Sequence, residues 1–273
     1  MERRNESGFS LIEFTISVAI MTVVLGGIFM LTANNQLIGR NESETSDMTQ
    51  NARVAFDLMS REIRNAGLGF PSNQAVVSAT SNSITVRGFF SKISTTALSV
   101  DPIGGVLVVG SAADFQPGQS LLLVDANSTA AAYTSIRPNG VDKITNRLTV
   151  STAVTAITPG ATISRFGPGT AVSVVERITY SIESGAISRT IAPELNPDAG
   201  DRSELANNIL DASGNNGLSF TYFDSNNTQL SGVINPATVT LVKIKINART
   251  KDKDAQTQKY RVFNLTTEAK PRG

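Results

Sequence analysis

The 273-residue chain contains no cysteine, no histidine and no tryptophan. Without cysteine it has no disulfide framework, no redox CxxC pair and no thiolate metal site. Without histidine it has no histidine-based triad, no imidazole metal site and no usual general base near neutral pH. These absences close most familiar enzyme designs, so the chain is read as non-catalytic, with no cofactor and no metal site expected. Aromatic residues make up only 6% of the chain, which leaves little material for a stacking platform for carbohydrate or single strands. A formal net charge of +1 lacks the basic excess that dominates nucleic-acid affinity, and nucleic acid is not expected as a partner.

What the chain has is one long apolar run. From Phe9 to Leu31, roughly 23 residues carry Glu13 as their only charge, and at about 1.5 Å per residue they form roughly 35 Å of helix against a hydrocarbon core of about 30 Å. One bilayer crossing is expected. Arg3 and Arg4 precede the run, and the next charges are Arg40, Glu42, Glu44 and Asp47, which places the N-terminus in the cytoplasm and exports the rest. An acid near the middle of a spanning helix costs on the order of 2.5–3.5 kcal/mol, so Glu13 needs a partner or a purpose. An ordinary cleaved signal fits poorly. The run exceeds the usual apolar region of about 7–15 residues, has an acid near its start, and ends in "LTANNQ" without an A-x-A site.

The stretch "ESGFSLIEFTISVAI" resembles the class III signal of type IV prepilins and pseudopilins: a short polar leader ending in glycine, an aromatic residue, and glutamate fifth in the mature chain. Here these are Gly8, Phe9 and Glu13. The resemblance implies that a prepilin peptidase cuts between Gly8 and Phe9 on the cytoplasmic face and N-methylates Phe9, with the membrane helix retained. It also implies that Glu13 pairs in the filament core with the Phe9 amine of an adjacent subunit. A buried pair of this kind argues for specificity of register more than for net stability.

Beyond the apolar run, Thr32 to Asp47 is polar and includes Gly39, which leaves helix, bend and fraying all open. Then Met48, Ala52, Ala55, Phe56, Met59, Ile63 and Ala66 recur at spacings of three and four, one apolar face of an amphipathic helix that should pack on a sheet. Arg53, Asp57 and Arg61 lie four apart on the other face and read as a solvated surface. Gly67 and Pro71 should stop the helix near Ala66. The segment "NARVAFDLMSREIRNAGLGFP" resembles the end of the long helix in PilW-type minor pilins and, more loosely, in the J-type pseudopilins of type II secretion.

After Pro71 short runs rich in Val, Ile, Thr and Ser alternate with Gly, Pro and Asn, the pattern of antiparallel strands. Expected strands are "NSITVRGFF", "AVSVVERITYSI", "GAISRTI", "GLSFTYFD", "ATVTLVKIKINAR" and "QKYRVFNLTT", with a hairpin turning at Ser184 and Gly185. Turn signals "FQPGQ", "RPNG" and "ITPGA" between about 92 and 166 mark an inserted β module, a small barrel being one form for it. The expected fold is therefore α+β: leader 1–8, membrane or filament-core helix 9–31, amphipathic helix 32–67, and a β-rich head 68–273 of the pilin type carrying the insert.

Other candidate sites read as structure. Gly104, Gly105 and Gly110 lack the Lys-Ser/Thr ending of a phosphate loop and read as a turn into a strand. "DASGNNG" from Asp211 and "DSNNTQ" from Asp224 depart from the EF-hand pattern and read as Asx-rich turns ahead of calcium sites. Asp198, Asp201 and Glu204 read as loop surface, and the Asn-x-Ser/Thr matches at Asn41, Asn127, Asn226 and Asn264 need no glycan.

The resemblance implies a minor pilin of PilW type, incorporated at or near the tip of a type IV pilus after peptidase processing. Its expected partners are the prepilin peptidase, other minor pilins and the major pilin, and the inner-membrane assembly platform. The expected location is the bacterial inner membrane, single pass with the head periplasmic, and then the pilus at the cell surface. The alternative is a J-type minor pseudopilin of a type II secretion filament, with pseudopilins as partners. The large head and the missing cysteine pair depart from many major pilins, and an added adhesin role rests on exposed head loops.

Overall fold

A computed structural model describes residues 11–70, 74–254 and 257–272; Gly8, Phe9 and Pro71 lie outside them. The helix α1 runs unbroken over Leu11–Asn65, 55 residues, or roughly 82 Å at 1.5 Å per residue. The polar stretch Thr32–Asp47 stays helical, because it contains no proline and Gly39 alone costs only about 1 kcal/mol. Along the helix the hydroxyls fold back onto the backbone: Thr15 donates to the Ile12 carbonyl, Ser17 to Glu13, Thr22 to Val18 and Thr32 to Ile28. These groups thus satisfy themselves without water. Residues 11–40 are all exposed, and burial begins at Met48 and continues through Ala52, Ala55, Met59 and Ile63. This is the predicted apolar face. Phe56, also predicted there, is partly buried against the same core, while Asp57 pairs with neither Arg53 nor Arg61 among the described residues.

Among the described residues fifteen strands follow: β1 (Val76–Ala79), β2 (Ser83–Gly88), β3 (Ser94–Asp101), β4 (Val106–Val109), β5 (Ser120–Val124), β6 (Ala131–Asp142), β7 (Arg147–Val150), β8 (Thr155–Ala156), β9 (Ala171–Val174), β10 (Glu176–Glu183), β11 (Ala186–Pro193), β12 (Asp201–Ala206), β13 (Leu218–Phe223), β14 (Leu241–Arg249) and β15 (Val262–Ala269). They make a five-stranded sheet ordered β1-β2-β10-β11-β12 and a three-stranded sheet ordered β13-β14-β15. Both are antiparallel. α1 packs against β12 and against β14 and β15, and its buried face shares one core with Ile178, Tyr180, Ile182, Val242, Ile244 and Ile246. This is the long-helix α+β architecture of the pilin type.

Between β2 and β10 the chain builds a separate antiparallel sheet ordered β5-β9-β3-β4-β7-β6, and β5 also pairs with β6. That pairing closes six strands into a small barrel, with β8 added beside β6. Closure removes the free edges that an inserted sheet would otherwise expose. Leu107, Leu121, Leu123, Ile136, Leu148 and Val172 fill its interior.

Several local expectations are corrected. "AVSVVERITYSI" is two strands, not one: it breaks at Val175, where the chain leaves the barrel and enters the five-stranded sheet. "RPNG" lies inside β6 as an irregularity between Ile136 and Val141, with Asn139 at φ 59°, because both flanks pair with β7. "QKYRVFNLTT" becomes strand only at Val262. Before it, the Asp254 carboxylate accepts from the Thr257 amide and the Arg261 guanidinium. The hairpin at Ser184 (φ 51°) and Gly185 (φ 78°) forms as expected, the left-handed pair a tight two-residue turn requires.

Candidate functional site

The first half of α1 is apolar all round and exposed all round. Leu11 is 82% exposed, Phe29 73% and Met30 78%. A helix apolar on every side belongs in lipid or a protein core, so this segment is built for surroundings the monomer does not supply. Its best 18-residue window has a mean hydropathy of 2.3, and none of that window is buried. Glu13 lies on this helix with an exposed side chain, and its backbone carbonyl accepts from Ser17.

Residues 3–29 match the prokaryotic N-terminal methylation motif. The match takes in the Gly-Phe junction, Glu13 and most of the apolar run, and it supports a type IV prepilin-like protein that is processed by a prepilin peptidase and assembles with other pilins. With the exposed apolar helix it supports a single-pass membrane anchor. No curated protein matches the chain.

The structure places the remaining sequence candidates in turns and strands. Gly104 and Gly105 turn the chain into β4, and Gly105 has φ 67°. The Asp211 carboxylate accepts from the Ser213 and Asn215 amides, which hold it below the usual carboxylate range. The Asp224 carboxylate likewise accepts from the Asn226 and Thr228 amides. Both are Asx turns, and no group of three acidic side chains suited to a metal occurs among the described residues. Asp201 and Glu204 are exposed but lie on strand β12 and not in a loop.

Two charge clusters, one partly buried and one buried, tie parts of the head together and were not visible in the sequence. In the first, the Glu62 carboxylate on α1 accepts from two guanidinium nitrogens of Arg189 on β11, Nε at 3.0 Å and Nη2 at 2.7 Å, and from the hydroxyl of Tyr180 on β10. Burial, with the Glu62 carboxylate beside it, pushes the Tyr180 hydroxyl well above its ordinary pKa. This cluster rivets the helix to the sheet. In the second, Glu194 is 3% exposed and binds Arg177 at 2.7 Å and Arg87 at 2.8 Å. Arg87 also donates to the Tyr133 hydroxyl of the barrel at 3.1 Å. The Ser120 carbonyl accepts from Val175 and its hydroxyl accepts from Leu195, so the barrel is tied to the sheet through a polar joint beside its covalent links. The partners are distant in sequence, and no local spacing marks them.

Proposed function

We propose that this protein is a minor pilin of PilW type: a non-catalytic subunit that enters a type IV pilus at or near its tip and helps initiate assembly. The observation that carries the reading is the methylation motif at the head of an unbroken helix whose apolar half is exposed and whose other half is buried in a β-rich head. In the proposed sequence of events, the chain sits in the inner membrane with its N-terminus cytoplasmic and its head periplasmic. A prepilin peptidase cuts between Gly8 and Phe9 and methylates the new amine. The helix then leaves lipid for the filament core, where the Glu13 carboxylate pairs with the Phe9 amine of a neighbouring subunit. A charge costly in hydrocarbon becomes a register mark once paired, because a misplaced neighbour leaves it unpaired. Partners are the other minor pilins, the major pilin and the assembly platform.

The deciding experiment is mass spectrometry of sheared surface filaments and of the periplasmic fraction, recording the N-terminus of this chain. A chain beginning at methylated Phe9 in sheared pili is expected, and a mature chain that retains Met1 overturns the reading. Loss of exoprotein secretion on deletion, with no pili affected, would assign the protein to a type II secretion filament instead. Glu13→Ala is expected to be cleaved normally and to enter filaments poorly. Entry equal to wild type would refute the pairing.

A further inference from the structure

The two covalent links between sheet and barrel, Phe89–Ile93 and Val175, run side by side, and the Val174 amide donates to the Ile93 carbonyl at 2.9 Å. Where they meet the end of α1 they leave an open groove of about 980 Å³, near the top of the ~300–1,000 Å³ range of ligand sites. Phe89, Phe90, Ile93 and Ile191 make its floor, and Leu68, 51% exposed, stands on its lip. The floor is set by packing and not by a ligand. Phe89 stacks on Phe70 with ring centroids 4.8 Å apart, and the Phe90 ring lies 3.0 Å from where a Cβ on Gly88 would sit.

The charges around this floor are unequal in their freedom. Glu62 is engaged by Arg189 and Tyr180, and Glu176 accepts the Ser91 amide at 2.8 Å. Arg61 on α1 and Lys92 on the link are exposed, and neither forms an ion pair among the described residues. The groove thus offers an apolar floor under two available cations carried by different elements.

We propose that the groove takes an extended peptide segment of a partner protein in which a carboxylate side chain stands next to a large apolar one. The apolar side chain enters the Phe89–Phe90 floor and the carboxylate meets Arg61 and Lys92, bridging the helix end to the barrel link. A basic segment is turned away by the same two cations. The proposal concerns the head alone and stands whether or not the filament reading does.

The test uses the full chain in dodecyl maltoside micelles, with empty micelles as blank, and three end-blocked fluorescein-labelled peptides: Phe-Asp-Leu-Glu-Phe, Phe-Asn-Leu-Gln-Phe and Phe-Lys-Leu-Lys-Phe. Fluorescence anisotropy should show the acidic peptide binding about fivefold or more tightly than the neutral one, the worth of two partly exposed ion pairs. That margin should shrink with added salt, and the basic peptide should bind weakest. The Arg61→Ala/Lys92→Ala variant changes exposed side chains only, so its unfolding temperature should match wild type while its acidic-peptide affinity falls to the neutral level. Absence of saturable binding, a basic peptide binding best, or acidic binding that survives the double substitution would each overturn the proposal.

Discussion

Gly67 sits where the long helix hands over to the head, and replacing it by alanine tests how tightly that joint is made. The residue has φ +77°, a left-handed conformation that costs an L residue roughly 1–2 kcal/mol. An added Cβ would lie 2.2 Å from the Arg272 carbonyl oxygen and 2.5 Å from the Ala75 Cβ, both too close to tolerate without movement. The Arg272 amide caps the helix end at Ala66 O, 2.8 Å away, and the Gly67 amide donates to Arg87 O at 3.0 Å. Displacing the C-terminal segment therefore endangers hydrogen bonds of about 0.5–1.5 kcal/mol each. The expected cost is about 2–4 kcal/mol, a fall in unfolding temperature of about 5–15 °C for a head of this size. Gly39→Ala is the internal control. Nothing lies within 4 Å of its would-be Cβ, and it stands in regular helix, so the same change there should be neutral or stabilising by up to about 1 kcal/mol. Calorimetry of both variants in micelles reads the difference. Gly67→Ala within about 0.5 kcal/mol of wild type would show that the C-terminal segment does not close on the helix as described.

Two further substitutions probe the buried charges. Burial raises the Glu176 carboxyl above its ordinary value of 4.5, so its protonated form favours the folded state. That contribution is complete below pH 4.5 and is lost as pH rises through the folded value. Glu176→Gln should therefore stabilise the head at pH 7 and flatten the decline just above pH 4.5 in denaturant titrations, and a variant less stable than wild type at pH 7 would contradict this. Glu194→Ala strands two largely buried guanidiniums, with Arg87 and Arg177 at 15% and 25% exposure, and should cost about 3–5 kcal/mol. Hydrogen exchange should rise first at the Val175 and Leu195 amides that join barrel to sheet, and unchanged protection there would refute the joint.

How much of this was legible depended on whether the signal was local. The methylation motif is a contiguous string, and the buried helix face repeats at three and four from Met48 to Ala66, so both can be read without tertiary knowledge. β14 alternates Val242, Ile244, Ile246 and Ala248 inward, and the Ser184–Gly185 turn announces its hairpin. β12 could not be read: Asp201, Arg202, Ser203 and Glu204 are all exposed and show no alternation, so only its pairing to β11 and the burial of Ala206 at its end place it in the sheet. The break at Val175 was equally hidden. Val174 faces the barrel core and Val175 the small cluster with Phe70 and Tyr133, so the apolar run is continuous while the sheet it belongs to changes. The groove inherits this difficulty, since its lining comes from α1, the Phe89–Ile93 link, β10 and β11.

The division of labour along α1 follows from where contact with the head begins. The apolar stretch ends at Leu31, and every side chain up to Arg40 is exposed, with partial burial starting at Asn41. About nine residues, roughly 14 Å of helix, therefore separate the lipid-compatible segment from the head. Asn34, Asn35 and Gln36 fall in this interval and carry amide groups that lose several kcal/mol if buried in hydrocarbon without partners. In the membrane the spacer must stand in the interface or the aqueous phase, holding the head clear of lipid. In the filament proposed above, the same amides would need polar groups or water around them, while Leu11 to Leu31 would meet apolar side chains. If the proposed Glu13 pairing holds, register between subunits would be constrained at two heights on one helix, by the acid at Glu13 below and by the amide-rich turns above. A subunit displaced along the axis would set the amide-bearing turns of one chain against the apolar turns of the next.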